Sequence, residues 1–252
     1  MRLSVCTDAV FSGKETPEAI GLVRQAGYGA YEFWSWWDKD LHAVRAAQQE
    51  HGVELAAMCT KFVSLVEPAE RGRYLEGLRE SLAAARTLGC KVLISQTGQE
   101  IAGVPREAQR ASLVEGLRAC VPLLEEAGVL LTIEPLNTAV DHPGYYLSSS
   151  DEAFGIVREV NSPYVKVLYD IYHQQITEGD LIRRIERNRE WIGHFHAAGH
   201  PGRGELDEGE IRYENVFRAI RGMGYHGFVG LEYFPGEDPM PGLRRWADSG
   251  TA

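Results

Sequence analysis

Between positions 192 and 205 the chain reads Ile-Gly-His-Phe-His-Ala-Ala-Gly-His-Pro-Gly-Arg-Gly-Glu. This is a short alternating run with His194 and His196 on one strand face, followed by a Gly/Pro loop carrying His200, Arg203 and Glu205. Two imidazoles in that position are either satisfied polar groups at a sheet end or part of a site where a strand meets its loop. Three other apolar runs close on a carboxylate: Leu-Thr-Ile ending at Glu134, Val-Lys-Val-Leu-Tyr ending at Asp170, and Phe-Val-Gly-Leu ending at Glu232. A lone acid after a strand is commonly a helix cap or a solvated loop residue. Four strand ends reading Glu, Asp, His, Glu, far apart in sequence, form a set with a different meaning. Three carboxylates and an imidazole make a hard-to-borderline donor set for one divalent cation.

Those four groups can meet only if their strands are parallel and end on one rim, and the rest of the chain is patterned for that. Strand signals at 3–6, 30–34, 53–58, 91–95, 129–133, 165–169, 192–197 and 228–231 alternate with helical patterns at 16–25, 41–51, 71–87, 105–127, from 150, 181–188 and 213–223. A short terminal helix is expected near 243–246, and Pro122 should bend the long helix that contains it. Gly27, Gly52, Gly89 and Gly128 punctuate helix ends. Eight such units in 252 residues predict an α/β fold, a (β/α)8 TIM barrel forming a single domain over 1–252. In it Glu32 and the tryptophans at 34, 36 and 37 are expected at the mouth. The apolar loop 59–66 could line a pocket; its Lys61 is either a substrate contact or a solvated lysine. His173 stands three residues beyond Asp170, on the same side if the intervening turn is helical.

A net charge of -10 and pI near 5.3 argue against nucleic acid or an anionic membrane as the main partner. No apolar run approaches the roughly 18 residues of a membrane span, and the start of the chain has no basic-then-apolar leader, so a cytoplasmic location is expected. Cys6, Cys59, Cys90 and Cys120 are widely spaced in apolar surroundings and read as reduced, buried thiols. No glycine-rich nucleotide loop follows any strand. A small soluble substrate remains, and the sequence leaves room for a homo-oligomer.

Several segments taken together resemble the hydroxypyruvate isomerase family among the xylose-isomerase-like barrels. They are Ile-Glu-Pro-Leu-Asn at 133–137 with Pro-Gly-Tyr-Tyr at 143–146, Asp-Ile-Tyr-His-Gln-Gln at 170–175, and Gly-His-Phe-His at 193–196. Pro-Gly-Arg-Gly-Glu at 201–205, Gly-Glu-Ile at 209–211 and Gly-Leu-Glu-Tyr at 230–233 complete them. The resemblance implies one divalent cation, Mn2+ or Mg2+ with Co2+ also admissible, on Glu134, Asp170, His196 and Glu232. It further implies that Glu134 and Glu232 move the proton and that His173 and Arg203 contact substrate; Glu205 beside Arg203 joins the substrate-binding candidates. His196 stands where hydroxypyruvate isomerases commonly carry Gln, which is similar to ketose 3-epimerases, and Gly204 stands where a His is usual.

Isomerisation and 3-epimerisation share removal of a C–H proton beside a carbonyl, which a cation and a carboxylate base together make accessible. Arg203 suits a substrate carboxylate because its planar fork can meet two oxygens. The expected activity is therefore isomerisation of a short 2-oxo sugar acid of the hydroxypyruvate/tartronate semialdehyde type, with 3-epimerisation of a free ketose as the alternative. A DNA-repair endonuclease on the same barrel lacks a phosphate-binding footprint here. A sugar-acid binding module would have no use for the full Glu/Asp/His/Glu set.

Overall fold

The computed structural model describes residues 1–247; residues 248–252 of the expected domain lie outside the described residues. The chain order is β1 (Arg2–Cys6), α1 (Thr7–Val10), α2 (Thr16–Gln25), β2 (Ala30–Phe33), α3 (Leu41–His51), β3 (Glu54–Cys59), α4 (Arg71–Leu88), β4 (Val92–Ser95) and α5 (Arg106–Ala127). It continues with β5 (Leu130–Ile133), α6 (Ser150–Val160), β6 (Val165–Asp170), α7 (Ile171–Thr177), α8 (Leu181–Arg187), β7 (Ile192–Ala197), α9 (Tyr213–Gly222), β8 (Phe228–Leu231) and α10 (Met240–Trp246). The strands close in sequence order into a parallel barrel, β8 returning to β1 through the pairs Arg2 with Phe228 and Val5 with Leu231. This is the TIM barrel that the strand count predicts.

The strands are buried on both faces, which is why they read as near-continuous apolar runs. Their outward residues, such as Tyr31, Leu131, Val167 and Phe195, pack under the helix ring in one large core. The barrel interior is divided. One side is apolar, with Ala57, Cys59, Ile94 and Leu168 in contact. The other is polar and holds Ser4, Glu32, His194 and His196. All four cysteines are free and buried. No helix among the described residues is long and apolar enough to cross a membrane.

Two short helices depart from the sequence reading. Thr7–Val10 follows β1 directly, and at four residues it is too short to show helical periodicity. Ile171–Thr177 is the turn that decides where His173 points: Asp170 caps it, its Oδ1 accepting the His173 backbone N–H at 3.0 Å. The helix α5 runs on through Pro122, which leaves the Arg118 carbonyl without its usual helical partner.

Candidate metal and proton-transfer site

Glu134, Asp170, His196 and Glu232 come from the C-terminal ends of four consecutive strands, and the barrel gathers them. One ligand atom from each lies within 4.8 Å of all the others, and all four side chains are buried. The Glu232 backbone N–H donates to the Ala197 carbonyl at 3.0 Å, tying the β8 end to the β7 end. His196 Nδ1 is 3.5 Å from Glu134 Oε1 and 3.4 Å from Glu232 Oε2. Neither His196 Nδ1 nor Glu134 Oε1 has a hydrogen bond, although both are fully buried. Buried polar atoms are normally satisfied, so two orphans facing each other in a ring of carboxylates have the chemistry of ligands. Three carboxylate oxygens and one imidazole nitrogen fit a divalent cation of the Mg2+, Mn2+ or Co2+ kind.

The charges support the same fit. Burial works against ionising Glu232, but His196 and then Arg203 hold its carboxyl well below the usual carboxylate range. Burial and neighbouring Glu232 push Asp170 up, against the pull of Arg203. Burial opposes charge on His196, yet the carboxylates of Glu232, Glu134 and Glu32 around it lift it well above its ordinary value. In the chain alone, a proton on His196 and the Arg203 guanidinium thus balance part of the negative charge of three carboxylates. A divalent cation held by these residues would take the place of that proton and leave the ring neutral, as ligation requires.

Sequence reasoning put Glu32 at the mouth. It lies instead inside the barrel below the cluster, 2% exposed. Its Oε2 is 3.0 Å from His196 Nε2, both its oxygens are 3.1 Å from His194 Nε2, and the Ser4 hydroxyl donates to Oε1. Burial would raise its carboxyl, but His194 and His196 bring it down to about 2. Gly230 makes the space: a Cβ there would stand 2.5 Å from Glu32 Oε1 and 2.8 Å from His196 Cδ2. Of the tryptophans, Trp34 is the one that reaches the cluster, donating from Nε1 to Glu232 Oε1 at 2.5 Å. Trp36 donates to Ser81, and Trp37 packs on Phe62 farther out.

The α7 turn brings His173 beside the cluster. The Asn137 backbone N–H donates to its Nδ1 at 3.3 Å, so in the neutral ring the proton sits on Nε2, which is 3.6 Å from Asp170 Oδ2 and has no hydrogen-bond partner. Burial and then Arg203 push His173 down to about 3, so it is a neutral donor at any physiological pH. Asn137 is held in turn by Asp141, which also accepts from the Tyr172 hydroxyl. Sequence reasoning does not give this Asn137–Asp141–Tyr172 brace, although Asn137 and Tyr172 lie in the segments that carry the family resemblance. Beside it lies a cleft of about 590 Å3 lined by Gln96, Gln99, His142 and Tyr145, and the His142 ring meets His173 edge-on with centroids 5.3 Å apart.

Arg203 is brought to the cluster by a tightly folded loop. Gly199 and Gly204 pair, and Gly209 at φ 94 passes so close to His200 that a Cβ would stand 2.0 Å from its carbonyl oxygen. Arg203, itself at φ 56, pairs with Glu232, and its carbonyl accepts the Phe234 N–H at 2.9 Å. Its guanidinium lies 5.5 Å from the Tyr172 ring and 5.7 Å from the Phe234 ring, with Nε buried and unpartnered.

Two candidate substrate contacts, Lys61 and Glu205, lie away from the cluster, and for Lys61 this accords with the alternative of a solvated lysine. Lys61 pairs with Glu80 and lies 5.4 Å over the Trp36 ring, on the outer wall between β3 and α4. Glu205 turns away from Arg203 toward α10, where its carboxylate lies against Gly242 and near Tyr233. In both cases a partner from a distant segment settles the direction, and sequence spacing does not reveal such partners.

The model of the xylose isomerase-like TIM barrel family matches residues 20–249. Hydroxypyruvate isomerase from Escherichia coli is 33% identical, over 98% of this chain and 98% of its own. The 2-oxo-tetronate isomerase of Cupriavidus necator is 34% identical over 70% of this chain and 67% of its own. Among solved structures, an AP endonuclease, family 2, from Brucella melitensis superposes with a TM-score of 0.93 at 30% identity, covering 98% of both chains. The D-allulose 3-epimerase of Methylomonas sp. superposes at 0.76 with 21% identity over 93% of this chain and 86% of its own, a likeness of fold.

Proposed function

Because the chain belongs to the xylose isomerase-like TIM barrel family and is an isomerase related to hydroxypyruvate isomerases, we propose that it interconverts a short 2-oxo sugar acid with its aldehyde isomer, hydroxypyruvate with tartronate semialdehyde being the type case. The observation that carries this reading is the convergence of Glu134, Asp170, His196 and Glu232 with two unsatisfied ligand atoms facing each other. These four residues would hold the divalent cation. When bound, it polarises the substrate carbonyl and offsets the charge of the ene-diolate.

The remaining work falls to the chain's own groups. In the proposed reaction one glutamate takes a proton from the hydroxymethyl carbon C3 and the proton is returned to the neighbouring C2, while the C3 hydroxyl proton passes to the C2 oxygen, leaving an aldehyde at C3 and a hydroxyl at C2. Glu134 and Glu232, whose carboxylates both approach His196 Nδ1, are the two candidates for this role. A ligating carboxylate keeps a second oxygen for the proton. His173 Nε2–H, neutral and unpartnered, is a donor for a substrate oxygen. Arg203, with Nε free, is the group for the substrate carboxylate, while the Tyr172 and Phe234 rings limit access of water to that side.

A sugar acid is preferred over a free ketose because the two isomerases at 33% and 34% identity are both named for 2-oxo acids, whereas the epimerase likeness is one of fold. A DNA-cleaving reading, which the likeness to the Brucella protein raises, meets a chain with a net charge of -10. The direct test is metal dependence: elemental analysis should find one divalent cation per chain, and chelation should abolish hydroxypyruvate isomerisation until metal is restored. Full activity in a verified metal-free sample would refute the proposal.

A further inference from the structure

We infer that Glu32 is a positioning residue for the cation: by accepting the Nε2 proton of His196 it turns the Nδ1 lone pair toward Glu134 and Glu232 and holds it there. This inference rests on the four-ligand reading of the site and adds to it a group that touches neither substrate nor cation. A carboxylate has only acceptors, so both imidazoles that meet Glu32 do so as donors through Nε2. With His196 Nε2 carrying its proton at 3.0 Å from Glu32, the other nitrogen of the neutral ring is the free lone pair, and it faces the two glutamates at 3.5 and 3.4 Å.

Glu32 is itself fixed on three sides. His194 meets both its oxygens, Ser4 donates to Oε1, and Gly230 leaves no side chain between Glu32 and His196. The His194 and His196 rings stand at 81° with centroids 5.2 Å apart, so His194 also blocks rotation of its neighbour. All four polar side chains of this layer, Ser4 included, are within 2% of full burial, where no water can substitute for a lost partner. Outer partners of ligating histidines commonly set metal affinity by 10- to 100-fold.

Glu32, His194 and His196 also bring three ligand atoms within 4.8 Å, which is a second conceivable cation site. It is the weaker assignment, because His196 Nε2 cannot both donate to Glu32 and ligate, and the trio supplies only three donors.

Glu32→Gln keeps the shape but gives the two rings one acceptor and one N–H2 where they had two acceptors. Gly230→Ala keeps every charge and drives a methyl between Glu32 and His196. Metal-stripped wild type and both variants, each checked for folding by circular dichroism, are titrated with Co2+ by calorimetry while the visible d–d band is recorded. The wild type should bind one Co2+; both variants should bind about 10- to 100-fold more weakly, with an altered band. Unchanged affinity and spectrum in the variants would overturn the role of Glu32 alone. Two Co2+ per wild-type chain would overturn it too, making Glu32 a ligand. A wild type that binds no cation would instead refute the four-ligand reading beneath it. If Glu32→Gln does not fold, Gly230→Ala decides.

Discussion

Replacing Arg203 separates a carboxylate-bearing substrate from a neutral sugar, and the geometry says how large the difference should be. One arm of the guanidinium is already engaged by Glu232, while Nε is buried and unpartnered. Arg203→Lys keeps the positive charge for Glu232 but cannot present a second, planar donor to a substrate carboxylate. The loss is about one charge-assisted hydrogen bond, roughly 1.5–3 kcal/mol, which is about 10- to 150-fold in kcat/KM. It should fall on 2-oxo acids and spare uncharged ketoses. Arg203→Ala should cost more and for both classes, because Glu232 then loses a cation that helps hold its carboxyl down. That carboxyl should rise in the Ala variant, so the low-pH limb of kcat/KM moves to higher pH, while in the Lys variant the limb stays near its wild-type place. Steady-state kinetics of the three proteins on hydroxypyruvate and on a ketose panel, at saturating metal and across pH, read out all of this. Equal losses on both substrate classes in Arg203→Lys would refute the reasoning and leave Arg203 as a brace for Glu232.

Two further outcomes follow from the same site. Glu134→Gln and Glu232→Gln, shown to be folded, should each lower turnover by about 10²–10⁴-fold, since an amide cannot carry the proton; a variant that keeps more than roughly a tenth of the wild-type rate cannot have lost an essential acid/base. His173 has its folded value pushed down to about 3 by burial, so in the metal-free chain it opposes protonation that the unfolded chain accepts near 6.5. Its contribution is intact above that value and is lost as pH falls from 6.5 toward 3. Compared with His173→Asn, the wild type should lose an extra few kcal/mol of stability across this window in denaturant titrations, and parallel curves would contradict it.

The barrel and its four converging residues were legible because they rest on local pattern. Apolar runs of strand length that stop at Glu134, Asp170 and Glu232 mark both the strands and their C-terminal ends, and parallel closure does the rest. Depth along the barrel axis is not a local property. Glu32 alternates inward on β2 just as sequence suggests, but whether it reaches the rim depends on stagger, and the β2–β3 register shifts between Tyr31 and Glu32. Where the side chains of Lys61 and Glu205 point was not legible for another reason. Each sits in a loop whose direction is set by a distant partner, Glu80 for one and the Tyr233 and Gly242 surface for the other. The short helix carrying His173 was readable only as a condition, since seven residues capped by Asp170 leave little periodic signal.

The central claim is metal-dependent proton transfer at the carbon beside the carbonyl of a 2-oxo acid, carried by Glu134 and Glu232. The most direct measurement is proton NMR of hydroxypyruvate in D2O with the Mg2+-loaded protein, the metal-stripped protein and Glu134→Gln. Deuterium should enter C3 and tartronate semialdehyde should form with the loaded wild type, and neither should occur with the other two. Equal exchange in the metal-stripped protein, or none on any 2-oxo acid while a free ketose is epimerised, would contradict it.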